Sequence, residues 1–178
     1  GEIVMNIFWL HEDTDTNAKY HCDKHIVKMP LETAQMLSTT VHMIGAESPN
    51  LYKAGFKNHP CTVWARERLI NFMLLHNLGM ALCHEYTYRY GKVHASQKVI
   101  ETMDLDSITD KFLDRDFPTI KSTTKPQCMP DEYKTTDTIQ AYRNYYVGEK
   151  SGFAKWKGKV NGREVPEFML EELVNETI

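Results

Sequence analysis

The sequence predicts a mainly α-helical protein, a single compact domain over residues 1–178 with one long central helix. Three observations lead to this prediction. Apolar residues recur at helical spacing through the middle of the chain, from Leu69 through Phe72 and Leu78 to Leu82. Glycine and proline concentrate in a few breaks between such stretches. The length of 178 residues and the 42% share of hydrophobic residues suit one domain with one core.

The first part of the chain is expected to hold two helices. The apolar run at residues 7–10 predicts a brief strand or a buried lead-in, and residues 13–16 offer side chains that can cap a first helix. Pro30 should kink this helix or open a second one over residues 31–43, because proline lacks the N–H that a helix interior needs. A break at Pro30 would move Glu32 off the face that carries the preceding reactive residues.

A loop rich in glycine, proline and asparagine, residues 45–60, precedes the long central helix. Thr62 is placed to cap that helix over residues 63–90, and Gly91 is placed to end it. A shorter helix is expected over residues 95–103. The central helix is long enough to form the spine of the domain.

The C-terminal part is predicted to be less regular. Prolines make residues 104–130 irregular, whereas residues 136–147 suit a helix. Residues 150–163 are rich in glycine, basic and aromatic side chains, and Pro166 can open a last helix through residue 175. The sequence shows no internal repeat and no low-complexity segment.

Composition excludes several classes of protein. The net charge of −3 argues against a strong nonspecific grip on duplex DNA, although a few cations suffice to hold a nucleotide. No apolar run approaches the roughly 20 residues of a membrane span, and the start lacks the pattern of a secretory signal. Residues 1–4 are interpreted as an extension before Met5.

The four cysteines form no close pair, so reduced thiols are expected and a structural zinc site is not.

The densest group of reactive side chains lies in residues 20–32 and falls largely on one face of a continuous helix. The candidate catalytic residues are His21, Asp23, Lys24, His25, Lys28 and Glu32. A lysine near other cations can lose its proton and attack a sugar C1′ or a carbonyl carbon, forming a Schiff base. Lys24 and Lys28 are both placed for this, with Asp23 or Glu32 to move protons. The alternative is a set of solvated charges on an amphipathic helix.

His21 and His25 also have the four-residue spacing of a helical metal chelate. The zinc-protease pattern requires a glutamate directly after the first histidine, where this chain has Cys22. A third ligand would have to come from Glu32 or from a distant residue. We therefore expect no metal and no cofactor.

A second group of residues is expected to bind a ligand. The candidates are Asn58, His59, Arg66, Arg89, Tyr90, Lys92 and His94. The first two precede a helix N-terminus, which offers N–H groups to an anion, and aromatic residues interleaved with cations can stack a base and hold a phosphate. Surface arginines and half-buried tyrosine packing are the alternatives. Dinucleotide-binding, P-loop and α/β-hydrolase motifs are absent from the sequence.

Several segments resemble a group of short bacteriophage proteins. They include NIFWL at residues 6–10, HCDKHIVKM at 21–29, NHPCTVWAR at 58–66 and EYTYRYGK at 85–92. This resemblance covers most of the chain but carries little functional information. It implies a protein that works in the cytoplasm of an infected bacterial host.

A more distant resemblance is to phage pyrimidine-dimer DNA glycosylases, in residues 52–60, the helix after them and the aromatic-lysine tail near Trp156. Those enzymes use an N-terminal amine as nucleophile and a glutamate on an early helix. The resemblance therefore implies a helical fold and sugar–base chemistry. In this chain Asp23 or Glu32 would supply the carboxylate.

The sequence thus leads to a protein that acts on a nucleotide or nucleic acid, by glycosylase- or lyase-type attack at an N-glycosidic centre. Two alternatives stay open. One is a non-catalytic, anti-defence binder that sequesters a nucleotide immune signal of the host, which suits the negative net charge. The other is a protein–protein inhibitor of a host enzyme. A host immune component and a second copy of the chain are the further partners considered, and no membrane is expected.

Overall fold

Helices account for the regular structure of residues 5–115 and 121–170, which the computed structural model describes. They are α1 Thr14–Tyr20, α2 Asp23–Ile44, α3 Pro60–Glu67, α4 Leu69–Tyr90, α5 Gln97–Glu101, α6 Leu105–Arg115 and α7 Thr138–Tyr145. Residues 167–170 are also helical, in the predicted last helix. A 3-10 turn, Asp131–Tyr133, precedes α7, and a π-helical turn, Tyr146–Lys150, follows it. The described residues contain no β-strand, so the predicted mainly α class is confirmed. Residues 1–4 and the end of the last predicted helix, 171–175, lie outside the described residues.

The long helices α2 and α4 form the centre of the hydrophobic core and pack against each other. Gly79 on α4 permits a close approach, since a Cβ there would lie 3.0 Å from Cγ2 of Thr33 on α2 and 2.9 Å from Cδ1 of Ile100 on α5. Residues 7–10 form a buried lead-in without strand structure. Within the described residues, no helix combines the length and apolarity needed to cross a membrane.

Helix α2 runs without interruption through Pro30 to Gly45, whose φ of 76° ends it. The expected break at Pro30 was wrong. A proline in a helix costs about 3 kcal/mol or more, and here it lies in a helix whose buried residues include Ile26, Met29 and Leu37. Burial of such a face offsets that cost. The continuous helix places Lys28 and Glu32 one turn apart.

The predicted central helix is divided in two at Arg68, whose φ of −147° and ψ of 149° are extended. His59 caps α3 in place of Thr62, since its Nδ1 accepts a hydrogen bond from Cys61 N–H. Arg66 consequently lies in the last turn of α3, where a cation suits the helix dipole. The predicted end of α4 at Gly91, with φ of 71°, is confirmed.

Helix α6 lies in a segment predicted to be irregular. It buries Ile108 and Phe112, which are four residues apart and face the core together. The prolines that suggested irregularity come after the end of this helix. Residues 121–130 do lack helix, as expected.

Candidate active site

An amine and a buried carboxylate meet on one face of α2. Lys28 Nζ lies 3.5 Å from Glu32 Oε2, with the Lys28 side chain 43% exposed and the Glu32 side chain 3% exposed. The lysine is thus open to a substrate while its partner is shielded from water. The amine is a potential nucleophile and the carboxylate a potential proton carrier, the two kinds of group that Schiff-base chemistry uses.

Glu32 is held from two sides. Its Oε1 accepts a hydrogen bond from the backbone N–H of Asn6 at 3.2 Å, and its Oε2 pairs with Lys28. Burial raises the pKa of Glu32, while Lys28 and the Asn6 N–H act in the opposite direction. A carboxyl group with a raised pKa is better matched to proton transfer near neutral pH than an exposed glutamate.

Lysines and aromatic rings lie near His25, about one turn before Lys28 on α2. Lys24 Nζ lies 4.5 Å from the centre of the Phe153 ring, and Lys150 Nζ lies 4.6 Å from that of Tyr145. Burial lowers the pKa of His25 to about 2, with further lowering by His21 and by three lysines, Lys150, Lys28 and Lys24. A protein with net negative charge therefore has a local cationic patch beside its amine–carboxylate pair.

His25 is packed as a core residue behind this patch. Its ring stacks on Phe8 with 4.3 Å between centroids, and its Nδ1 lies 2.6 Å from the Tyr146 hydroxyl. Because its pKa is far below the ordinary value, the imidazole is neutral at physiological pH. The structure thus places His25 in the core and not at an exposed catalytic position.

His21 lies at the C-terminal cap of α1 rather than on α2. Its ring is fully buried, and its Nδ1 is 2.7 Å from the carbonyl oxygen of Asn17. Burial lowers its pKa to about 4. His21 and His25 thus do not share one helix. Residues 5–115 and 121–170 contain one group of three or more possible metal ligands, and neither histidine belongs to it.

Asp23 and Arg89 hold the C-terminal segment against α2. Asp23 Oδ1 accepts from Arg89 Nη1 at 3.1 Å, and its Oδ2 accepts from the backbone N–H groups of Lys157 and Gly158, each at 3.0 Å. The Arg89 guanidinium also donates to Glu85 and to two backbone carbonyl oxygens, and it is 0% exposed. This geometry gives Asp23 and Arg89 structural roles and leaves Arg89 no surface with which to hold a phosphate.

The remaining predicted ligand-binding residues lie in two places. Asn58 is exposed, His59 is half-buried at the start of α3, and Arg66 donates to the carbonyl oxygen of Lys57. After α4, Lys92 is exposed, and His94 Nε2 lies 2.9 Å from the carbonyl oxygen of Val27 on α2. His94 thus lies at the exposed side of α2.

Tyr90 is half-buried close to the same end of α2. Its ring lies 5.1 Å from that of Tyr86, and Tyr86 in turn meets His94 edge to face at 4.7 Å. Burial raises the Tyr90 pKa. The sequence-predicted groups around residues 21–32 and 90–94 are therefore neighbours, joined through α2.

Four residues of this site were not among the sequence candidates: Asn6, Tyr145, Lys150 and Phe153. The basic and aromatic composition of residues 150–163 signalled the last two, but not their position over α2. Nothing in the sequence indicated a role for Asn6 in a site, apart from its place in the NIFWL segment at residues 6–10. Its Oδ1 accepts from the Tyr142 hydroxyl at 2.9 Å, and its Nδ2 donates to the carbonyl oxygen of Cys128 at 2.8 Å.

A cavity of about 640 Å³ lies beside α7. It is lined by Tyr20, Tyr133, Arg143 and Phe168 among others. The Arg143 guanidinium lies 5.1 Å from the Phe168 ring centre, and its Nε donates to the carbonyl oxygen of Leu10. None of the sequence-predicted site residues lines it.

Residues 5–98 match the family described as pyrimidine dimer DNA glycosylase, which is more than half of the chain. The chain belongs to this family. The match confirms the distant resemblance to pyrimidine-dimer glycosylases within residues 5–98, and at the level of the family it means a glycosylase-like protein that acts on nucleic acid. The matched segment contains α1 to α4, with Lys28 and Glu32 on α2, and it also includes Asn6. Searches of curated proteins and of solved structures gave no match.

Proposed function

We propose that the protein is a DNA glycosylase or lyase in which the Lys28 amine is the nucleophile and Glu32 transfers protons. The observation that carries this proposal is the 3.5 Å separation of Lys28 Nζ and Glu32 Oε2, with the amine exposed and the carboxylate buried. Membership of the glycosylase family supports the reaction class. Of the two lysines singled out in the sequence, Lys28 is the one that has this carboxylate partner.

The reaction follows from these two groups. The Glu32 carboxylate takes a proton from the Lys28 ammonium, and the free amine attacks C1′ of the target nucleotide. The N-glycosidic bond breaks, its electron pair leaves with the base, and the base receives the proton from Glu32. When the C1′–O4′ bond then opens, a proton moves from nitrogen to O4′ and a protonated Schiff base forms between Lys28 and C1′.

The cationic patch is suited to holding the DNA strand during this reaction. Lys24 and Lys150 lie over the aromatic rings of Phe153 and Tyr145, an arrangement that offers charge to phosphates and apolar rings to bases. A patch of this size supplies few phosphate contacts. We therefore propose that DNA is bound locally, around the damaged or extruded nucleotide, rather than along a long basic surface.

Borohydride trapping tests the proposal, because it reduces the Schiff base to a stable adduct. Duplex DNA with one pyrimidine dimer, and a matched duplex with one abasic site, would be incubated with the wild type and single variants. Lys28→Ala should give no trapped adduct, and Glu32→Gln should lower the rate of trapping by roughly 100-fold or more. Lys24→Ala is the matched control and should still be trapped at saturating DNA.

Peptide mapping of the adduct makes the test specific. A modified Lys28 supports the proposal. An adduct at the α-amino group, or full trapping of Lys28→Ala, would assign the nucleophile elsewhere and overturn it. In that case the Glu32→Gln variant would still show whether Glu32 transfers protons. Glu32 also contacts Asn6, so it could serve a nucleophile other than Lys28. Absence of both adduct and base release on either DNA would reject catalysis.

The cavity beside α7 favours a second candidate function, the capture of a nucleotide without turnover. Its volume of about 640 Å³ is within the ordinary range of small-molecule sites, and Arg143 and aromatic rings line it. Nucleotide released intact from the denatured protein would support this candidate. Arg143→Ala should abolish that retention, whereas Lys28→Ala should leave it unchanged.

A further inference from the structure

Three side chains from distant parts of the sequence converge near Asn6. His59 and Cys61 lie at the start of α3, and Cys128 lies in the segment before the 3-10 turn. Their potential ligand atoms all lie within 4.8 Å of one another. The two cysteines are 67 residues apart in the chain, which is why the sequence pattern did not suggest a metal site at these three residues.

We infer that His59, Cys61 and Cys128 form a binding site for a soft divalent metal ion of the Zn²⁺ class. The Sγ atoms of the cysteines are 3.7 Å apart. Zn–S bonds of about 2.3 Å in a tetrahedral arrangement place two sulfur atoms about 3.8 Å apart. A disulfide would require them to approach to about 2.05 Å. The spacing of the thiols thus fits shared coordination of one ion.

The third ligand and the access route are consistent with this site. His59 is half-buried and Cys128 is half-buried, whereas Cys61 is 0% exposed, so an ion can enter from one side and be held at depth. The His59 Nδ1 accepts from Cys61 N–H at 3.1 Å. Coordination through this nitrogen would replace that hydrogen bond. The three ligands leave a fourth tetrahedral position for water.

The ion would fix the surroundings of Glu32. Asn6 donates from its backbone N–H to Glu32 and from its side chain to the carbonyl oxygen of Cys128. Cys61 Sγ also lies 4.0 Å from Asn6 Oδ1. Coordination by Cys61 and Cys128 would tie the segment around Cys128 to α3 and hold Asn6 between them. The ion would therefore have a positioning role in the fold.

Metal binding can be tested without DNA, so its outcome is independent of the proposed reaction. Reduced protein would be stripped with a chelator and titrated with Co²⁺ and Zn²⁺. We expect one equivalent of Co²⁺ to bind, with a thiolate-to-metal charge-transfer band in the near ultraviolet that Zn²⁺ removes. Cys61→Ser and Cys128→Ser should lose this band. Cys83→Ser, which changes another buried cysteine, should keep it.

The histidine needs a variant that preserves the helix cap. His59→Asn keeps a side-chain acceptor at the N-cap but removes the imidazole. It should weaken Zn²⁺ binding by at least about tenfold, because removing even a residue that only hydrogen-bonds to a metal ligand lowers metal affinity by that factor. Thermal melting would show that each variant is folded. Reduced, folded wild type that binds no Co²⁺ or Zn²⁺, or that binds them equally well after Cys61→Ser, would overturn the inference. A Cys61–Cys128 disulfide without metal affinity in the reduced protein would also overturn it.

Discussion

The guanidinium of Arg89 and the carboxylate of Asp23 meet at 3.1 Å between Nη1 and Oδ1, and they join α4 to the first turn of α2. Arg89 also donates from Nε to Glu85 Oε2 at 2.7 Å, and Glu85 receives two further hydrogen bonds from Arg163. Two carboxylates and two guanidinium groups thus balance their charges at the edge of the core. The network holds residues 157–163 beside the proposed site.

Replacing Arg89 with methionine should destabilise the protein strongly. The substitution keeps an apolar stem but removes the cation that faces two carboxylates, and breaking a buried ion pair in this way costs about 3–5 kcal/mol. Urea unfolding of Arg89→Met against wild type would measure the loss. Lys92→Met, which alters an exposed cation just after the same helix, should change the free energy of unfolding by less than about 0.5 kcal/mol. Equal effects of the two substitutions would contradict the structural role of Arg89.

Acid should destabilise the protein through His21. Its pKa is about 4 in the folded protein, against an ordinary value of 6.5, so between these values the unfolded chain binds a proton that the folded chain does not. The contribution of His21 to stability is therefore fully present above pH 6.5 and is lost as the pH falls towards 4. The loss from this group approaches about 3 kcal/mol.

His21→Gln removes this titrating group while keeping a donor for the Asn17 carbonyl oxygen. Urea unfolding between pH 7 and 4 should show a smaller loss of stability in this variant than in the wild type. His84→Gln, which changes an exposed histidine, should follow the wild-type curve. Parallel curves for wild type and His21→Gln would exclude this source of acid sensitivity.

DNA affinity should depend on salt through the lysines of the patch. If Lys24 and Lys150 each contact one phosphate, removing either should lower the slope of log affinity against log salt by about 1. Fluorescence anisotropy with labelled DNA across a salt series would measure this slope. Lys111→Ala, on the exposed side of α6, should leave the slope unchanged. An unchanged slope in Lys24→Ala and Lys150→Ala would remove the patch from the DNA interface.

Glu32→Gln should cost activity and add stability. Burial raises the Glu32 pKa, so the charged form is disfavoured in the folded state, and this group's contribution to stability declines as the pH rises above its ordinary value. At neutral pH the neutral amide should therefore increase the free energy of unfolding, because it removes a charge that burial disfavours. Glu47→Gln, at an exposed glutamate, should leave stability nearly unchanged. A less stable Glu32→Gln protein would indicate that the hydrogen bond and ion pair of Glu32 outweigh the cost of burying its charge.

The fold class and several helix ends could be predicted from local sequence because they depend on neighbours in the chain. Asp13 caps α1, and Gly45 and Gly91 end α2 and α4 in left-handed conformations. The continuous helix through Pro30 could not be predicted in this way. Its cause is burial against α4, which outweighs a local propensity.

Within the candidate site, sequence alone found the right segment but not the roles of its members. It determined that residues 20–32 hold an amine, imidazoles and carboxylates at helical spacing, because spacing along a helix is fixed by the chain itself. Only the tertiary structure decided that Glu32 is buried away from water and paired with Lys28. The same holds for the ion pair between Asp23 and Arg89 and for the contact between Cys61 and Cys128. Those outcomes depend on which surfaces the packing of distant elements removes from water, and no local pattern specifies that.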